Sequence, residues 1–157
     1  MSKWSAFLPL IILSTACQTT GTQNREEHAS AEHVELALMM KNIQYFTHKL
    51  GLALQADNHE LAGFYVHELE EGLEEVYGVQ EYDKLPIGAT AKKIMPSSFE
   101  ALDKTVVHGK KAKDALPQYE EVLKACNQCH NATQHGFIRV VTPTTNPFSQ
   151  DFSPSAE

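Results

Sequence analysis

Cys126-Asn127-Gln128-Cys129-His130 is the stretch from which the rest of this 157-residue chain can be read. Two cysteines separated by two residues and followed at once by a histidine form the attachment pattern of a c-type haem. Each thiol adds across one vinyl group of the porphyrin, and the intervening pair spaces the sulfurs for two vinyls of one ring. The next residue, a histidine, then lies under the ring and binds the iron as proximal ligand. One covalent haem c, held by Cys126 and Cys129 with His130 on the iron, is the cofactor this pattern implies. The remaining chain must then build a dry pocket around a flat apolar disc.

Other uses of paired cysteines fit less well. A structural zinc site takes four ligands, usually from two paired clusters, and no second cysteine pair occurs. A redox dithiol belongs near a βαβ pattern, whereas the flanks here are helical. A plain disulfide leaves His130 unexplained.

Working outward, Leu116, Tyr119, Leu123, Cys126 and His130 recur at helical spacing, so the histidine faces the core side of a last helix. Asp114 is positioned to cap that helix, and Pro117 is tolerated in its first turn. After Gly136 the run Phe137-Ile138-Arg139-Val140-Val141 is followed by Pro143, Pro147 and Pro154, so residues 136–157 form an irregular tail expected to pack as an extended strap. Upstream, Ser97-Ser98-Phe99-Glu100 has the form of a capping box and opens a helix with Phe99, Leu102 and Val106 inward, ending near Gly109. Residues 79–96 carry Pro86, Gly88 and Pro96 and read as a long connection with at most a short turn of helix.

Before that connection lie two longer helices. One runs from about Ala31 to Ala56 with Leu36, Met40, Ile43, Thr47, Leu50 and Leu54 on one face. The other runs from about His59 to Tyr77 with Leu61, Tyr65, Leu69, Gly72 and Val76 inward, and stops at Gly78. Asp57 or Asn58 ends the first and caps the second, so the two are antiparallel neighbours. Glu70, Glu71, Glu74 and Glu75 fall on other faces and read as solvated surface. The expected fold is all-α: a four-helix up-down-up-down bundle over residues 31–135 with an irregular C-terminal tail.

The N-terminus carries a different message. Lys3, the apolar run Ala6 to Leu13 and the small residues Ser14-Thr15-Ala16 make a signal peptide over residues 1–16, too short to span a bilayer as an anchor. Cleavage there puts Cys17 first, as in a bacterial lipoprotein, and lipidation of Cys17 accounts for the one cysteine without a partner. Gln18 after it resembles the outer-membrane sorting class, and residues 17–30 read as a polar tether. The expected location is the periplasm, anchored to the outer membrane through lipid. Export agrees with the haem motif, since c-type attachment is completed beyond the inner membrane.

Composition narrows the partners. The formal charge is −7, and −8 once Lys3 is removed with the leader, so nucleic acid is not an expected partner. Neither a nucleotide loop nor a Ser/His/Asp arrangement is present, so the chain reads as a carrier and not an enzyme.

A haem motif late in the last of four helices resembles the cytochrome c-prime family, the helical-bundle class of c-type cytochromes, over roughly Ala31 to His135. The stretch Cys126 to Phe148 is also similar to small exported c-type cytochromes. The resemblance implies electron transfer with redox protein partners, or binding of nitric oxide or carbon monoxide where the iron lacks a sixth ligand, and a homodimer joined through the first two helices. A haem that serves folding alone is a third possibility. In such a bundle His130 is level with residues 40–44 of the first helix, at about 1.5 Å per residue. Met40 is therefore the candidate sixth ligand, with Met39 and His48 behind it. His67 points outward, and His59, His108 and His135 sit at helix ends or in loops.

Overall fold

The structure, a computed structural model, describes residues 23–155, with side chains from Glu35 to Ser155. The leader, Cys17 and the first part of the tether lie outside the described residues. The described chain is all-α, with no strand and one isolated bridge between Tyr82 and Leu85. Five α-helices follow one another: α1 (Gln23–Gln55), α2 (His59–Gly78), α3 (Ile87–Ile94), α4 (Pro96–His108) and α5 (Leu116–Ala132), with a 3-10 turn at Ala112–Ala115 before α5.

Helix α1 begins at Gln23, so residues 23–30, expected as tether, are helical. The segment reads Gln-Asn-Arg-Glu-Glu-His-Ala-Ser, and the helix meets neither glycine nor proline before Gly51, so nothing there interrupts it. The turn into α2 forms as expected. Asn58 accepts from the Leu61 amide at 3.0 Å as N-cap, and Asp57 takes a left-handed φ of 59° before it. The Asp57 carboxylate accepts from the Lys113 amide at 3.1 Å and pairs with its ammonium at 3.4 Å, tying this turn to the 3-10 turn.

Two expectations for the middle of the chain are corrected. The connection at 79–96 contains a full helix, α3, which makes five helices where four were expected. The capping box at Ser97 does not form either. Met95 stays in the right-handed helical region, so α3 passes almost directly into α4, and Pro96, with no amide to lose, takes the first position. Ser98 donates instead to the Met95 carbonyl at 2.9 Å. Asp114 likewise lies inside the 3-10 turn, and Ala115 precedes α5 without a side-chain cap.

The core follows the apolar periods. Leu50, Leu54, Leu69, Val76, Leu102, Val106, Tyr119 and Val122 are the largest fully buried side chains, each contributing about 1.5–3 kcal/mol of transfer free energy. Helix α1 packs most extensively on α2, and α4 on α5, whereas α1 and α5 touch over a short stretch only. Gly51 makes that stretch possible: a Cβ there would stand 2.6 Å from the Tyr119 hydroxyl and 2.8 Å from Pro143. The Tyr119 hydroxyl passes over it and donates to the Thr47 carbonyl at 3.0 Å.

The tail is an extended strap, as expected, and it runs back across α1 to the start of α2. Gln55 donates to the Pro143 carbonyl at 3.0 Å, the Lys49 ammonium to Gln150 Oε1 at 2.7 Å and the Tyr65 hydroxyl to the same oxygen at 2.9 Å. Asn58 reaches the Phe152 and Ser153 carbonyls at 3.2 and 3.0 Å.

Candidate haem-binding site

Where α1 and α5 stand apart, a cavity of about 350 Å³ opens between them. Helix α1 supplies Ala37, Met40, Lys41, Ile43, Gln44 and Thr47 to its wall; α2 supplies Leu73 and Val76, and α3 with its junction supplies Ala91 and Met95. The opposite wall is the haem motif itself, with Cys126, Cys129 and His130, joined by Ile138, Arg139 and Val140 of the strap. The three residues of the motif thus share one cavity with Met40.

Both cysteines are free thiols, Cys126 buried and Cys129 half-buried. Burial, with Cys129 adjacent, pushes the Cys126 thiol up to about 12, and burial also raises Cys129. They sit in the last turns of α5, at the negative end of the helix, where a thiolate is further disfavoured. A redox dithiol has the reverse setting, a helix N-terminus that lowers its pKa. Among the described residues no three His, Cys, Asp or Glu side chains gather as a metal-holding group.

His130 is oriented by the strap. Its Nδ1 lies 2.9 Å from the Ile138 carbonyl oxygen. A carbonyl can only accept, so Nδ1 is the donor of this pair and Nε2 is the ring nitrogen not engaged by it. A tight turn produces this contact. Gln134 takes a left-handed φ of 63°, the His135 amide donates to the His130 carbonyl at 2.7 Å, and the Ile138 amide donates to the His135 carbonyl at 2.8 Å. A Cβ at Gly136 would collide with the Asn131 side-chain oxygen.

The other candidates separate cleanly. Met39 lines a different concavity, with Glu35, Leu36 and Tyr82. His48 has its Nε2 3.3 Å from the Thr145 carbonyl and its ring against Phe148, so the strap occupies it. His67 is exposed beside Glu71 at 3.5 Å, His59 and His108 are exposed, and His135 Nδ1 contacts the Thr133 carbonyl at 2.6 Å. The four glutamates of α2 are exposed, as expected. Residues that the sequence reading missed are Met95, Lys41, Arg139 and the strap carbonyl of Ile138. Met95 was hidden because the helix that presents it was read as a connection.

The donor set fits a haem. Ile43, Leu73, Val76, Ala91 and Val140 offer apolar walls to a macrocycle, two free thiols and an imidazole nitrogen stand on one side, and a methionine comes from each of two other elements. Among the described residues the charged members of the wall, Lys41 and Arg139, are both cations, suited to the two carboxylates such a ring carries, and no carboxylate joins them. Comparison of the chain with known protein families, characterised proteins and solved structures finds no match to any of them.

Proposed function

We propose that this protein is an exported monohaem c-type cytochrome that carries single electrons between redox partners. The observation that carries the reading is the setting of His130: Nδ1 is committed to the Ile138 carbonyl, and the residue lines a cavity that both motif thiols share. Metal-binding histidines are held in this way, the second ring nitrogen donating to a backbone carbonyl that fixes the tautomer and raises ligand basicity. When bound, the haem supplies the one-electron couple of its iron. Cys126 and Cys129 hold the ring, Leu73, Val76 and Ile43 exclude water from it, and Lys41 with Arg139 balances its carboxylates.

Met40 is proposed as the sixth ligand. It reaches the cavity from α1, the wall facing His130, and with both axial positions filled the iron exchanges electrons but offers no place for a substrate. The four longer helices are read as the up-down-up-down bundle of the cytochrome c-prime type, with α3 inserted in the crossing and the strap added. Anchoring to the outer membrane through Cys17 belongs to the same proposal.

The test is the protein purified from a host with haem-attachment machinery. Its mass is expected to exceed the chain by one haem, and the colour to stay with the denatured polypeptide; colour passing into acidified organic solvent would sink the proposal. Reduced protein is expected to be low-spin and slow to bind carbon monoxide, and Met40→Ala to make it high-spin and fast. An unchanged low-spin spectrum in that variant moves the ligand to Met95.

A further inference from the structure

We propose that Asn127, a spacer residue between the two cysteines, is a positioning residue for the iron ligand and sets the haem's reduction potential through the strap; this rests on the haem reading above. The Asn127 carboxamide forms a two-bond ring with the backbone of Val140. Its Nδ2 donates to the Val140 carbonyl at 2.8 Å, and its Oδ1 accepts from the Val140 amide at 2.8 Å. A neighbouring strand would offer the same pair of bonds, so the side chain stands in for a ladder partner.

Two residues earlier in the strap, the Ile138 carbonyl accepts from His130 Nδ1 at 2.9 Å. Residues three apart on a helix are surface neighbours, so Asn127 and His130 present a common face of α5 to the strap. Segment 138–140 is therefore held at both ends by that face. Burial holds it only at Val140, which packs against the core, while Ile138 is 47% exposed and the flanking Phe137 and Val141 are 81% and 70% exposed. The next side-chain tie downstream, Gln55 to Pro143, comes from α1. On the C-terminal side of Ile138, Asn127 is thus the side-chain tie that steadies its carbonyl on the imidazole, with the Ile138 amide bonded to the His135 carbonyl on the other side.

The consequence is electronic. An imidazole that donates to a fixed carbonyl is a stronger ligand and favours ferric over ferrous iron. Releasing Val140 lets the Ile138 carbonyl turn to water, which weakens the ligand and raises the potential.

The experiment replaces Asn127 by Ala in the full chain and keeps Gln55→Ala as a control that loosens the strap elsewhere. Mass first establishes that the covalent haem is retained. The midpoint potential is then measured by spectroelectrochemical titration, the single electron coming from the electrode through mediators. Solvent exchange of the His130 Nδ1 proton is followed by NMR on the ferrous form. Asn127→Ala is expected to raise the potential by about 59 mV, a tenfold loss of ferric preference in a one-electron couple, and to speed exchange tenfold or more. Gln55→Ala is expected to change neither. If Asn127→Ala does not mature, Val140→Pro is read instead, since it removes the Val140 donor without touching the motif. Retained haem with an unmoved potential, or an equal shift in Gln55→Ala, overturns the role of Asn127 alone. Wild-type protein without covalent haem overturns the underlying reading.

Discussion

The two ends of the strap are built to opposite specifications. At its far end Lys49 is buried with its ammonium 4.3 Å from the centre of the Tyr45 ring, 5.0 Å from that of Phe148 and 5.6 Å from that of Tyr65. Gln150 accepts from that ammonium and from the Tyr65 hydroxyl together. The cation has its neutralising environment already, and that end is complete as it stands. At the near end His130 and two thiols border an open cavity, and apolar side chains of the strap face solvent. One end of the strap closes on itself, and the other borders a cavity.

The largest expected effect comes from depriving the near end of its occupant. Replacing Cys126 and Cys129 together with Ala should abolish covalent haem and leave the α1–α5 gap without a filling. The melting midpoint, read by circular dichroism, should fall by far more than the about 4 °C that 1 kcal/mol is worth in a domain of this size. A midpoint unchanged in that variant would mean the cavity needs no occupant, and the contrast between the two ends would fail.

Breaking the far end should cost less and leave the haem untouched. Lys49→Met removes the caged cation and its bond to Gln150, an expected loss of about 2 kcal/mol in denaturant titration at pH 7. The midpoint potential and the visible spectrum are expected to stay as in wild type, because the strap keeps its own hold on α5 through Asn127. The charge also has a pH signature. Burial alone would lower the Lys49 pKa, but the hydroxyls of Tyr45 and Tyr65 outweigh it, and the net shift is upward from 10.5. A raised pKa in the folded state means that its stabilisation is complete below pH 10.5 and is lost as pH rises beyond it. Lys49→Met should therefore lack that alkaline loss.

The smallest expected effect lies between the two ends, where Tyr119 joins α5 to α1 over Gly51. Tyr119→Phe removes the bond to the Thr47 carbonyl and should cost about 1 kcal/mol at neutral pH. Burial, and to a lesser degree Cys126, raises this phenol above its usual 10.0, so the unfolded chain ionises first and stability declines above pH 10. The phenylalanine variant should show a shallower alkaline decline, measured by denaturant titration from pH 8 to 11. An identical slope would assign that decline to other groups.

Much of this molecule could be read from local pattern. The spacing of Cys126, Cys129 and His130 carries the haem proposal, because two vinyls and one iron would demand a fixed separation along the chain, and the structure places all three on one cavity. Helical periods picked out Leu50, Leu54, Leu69, Leu102, Val106 and Tyr119 as core, since burial of one face is what makes these segments helices at all. Counting rise per residue from His130 brought Met40 to the right level, and it does share the cavity. Local signals failed where two readings compete over a few residues. Pro86, Gly88 and Pro96 looked like loop punctuation, yet Pro96 begins a helix and Gly88 lies inside one, because α2 and α5 give that segment an apolar surface to pack on.

The sequence by itself determined that a cysteine pair and a histidine share a helix face, that the chain is helical, and that a proline-rich tail follows. Only the tertiary structure decided what that tail does. The contacts that matter there join residues far apart in the chain: His48 with Thr145, Lys49 with Gln150, Gln55 with Pro143. No local rule specifies such pairs, since each depends on where the strap lies once α1 and α2 have packed. The same holds at the site. Nothing in the order of residues says that Asn127 will bind Val140 or that Ile138 will turn its carbonyl to His130, because a backbone acceptor carries no signature in its side chain. Thiol spacing is a property of one helical turn, whereas ligand orientation is a property of how the strap closes over it.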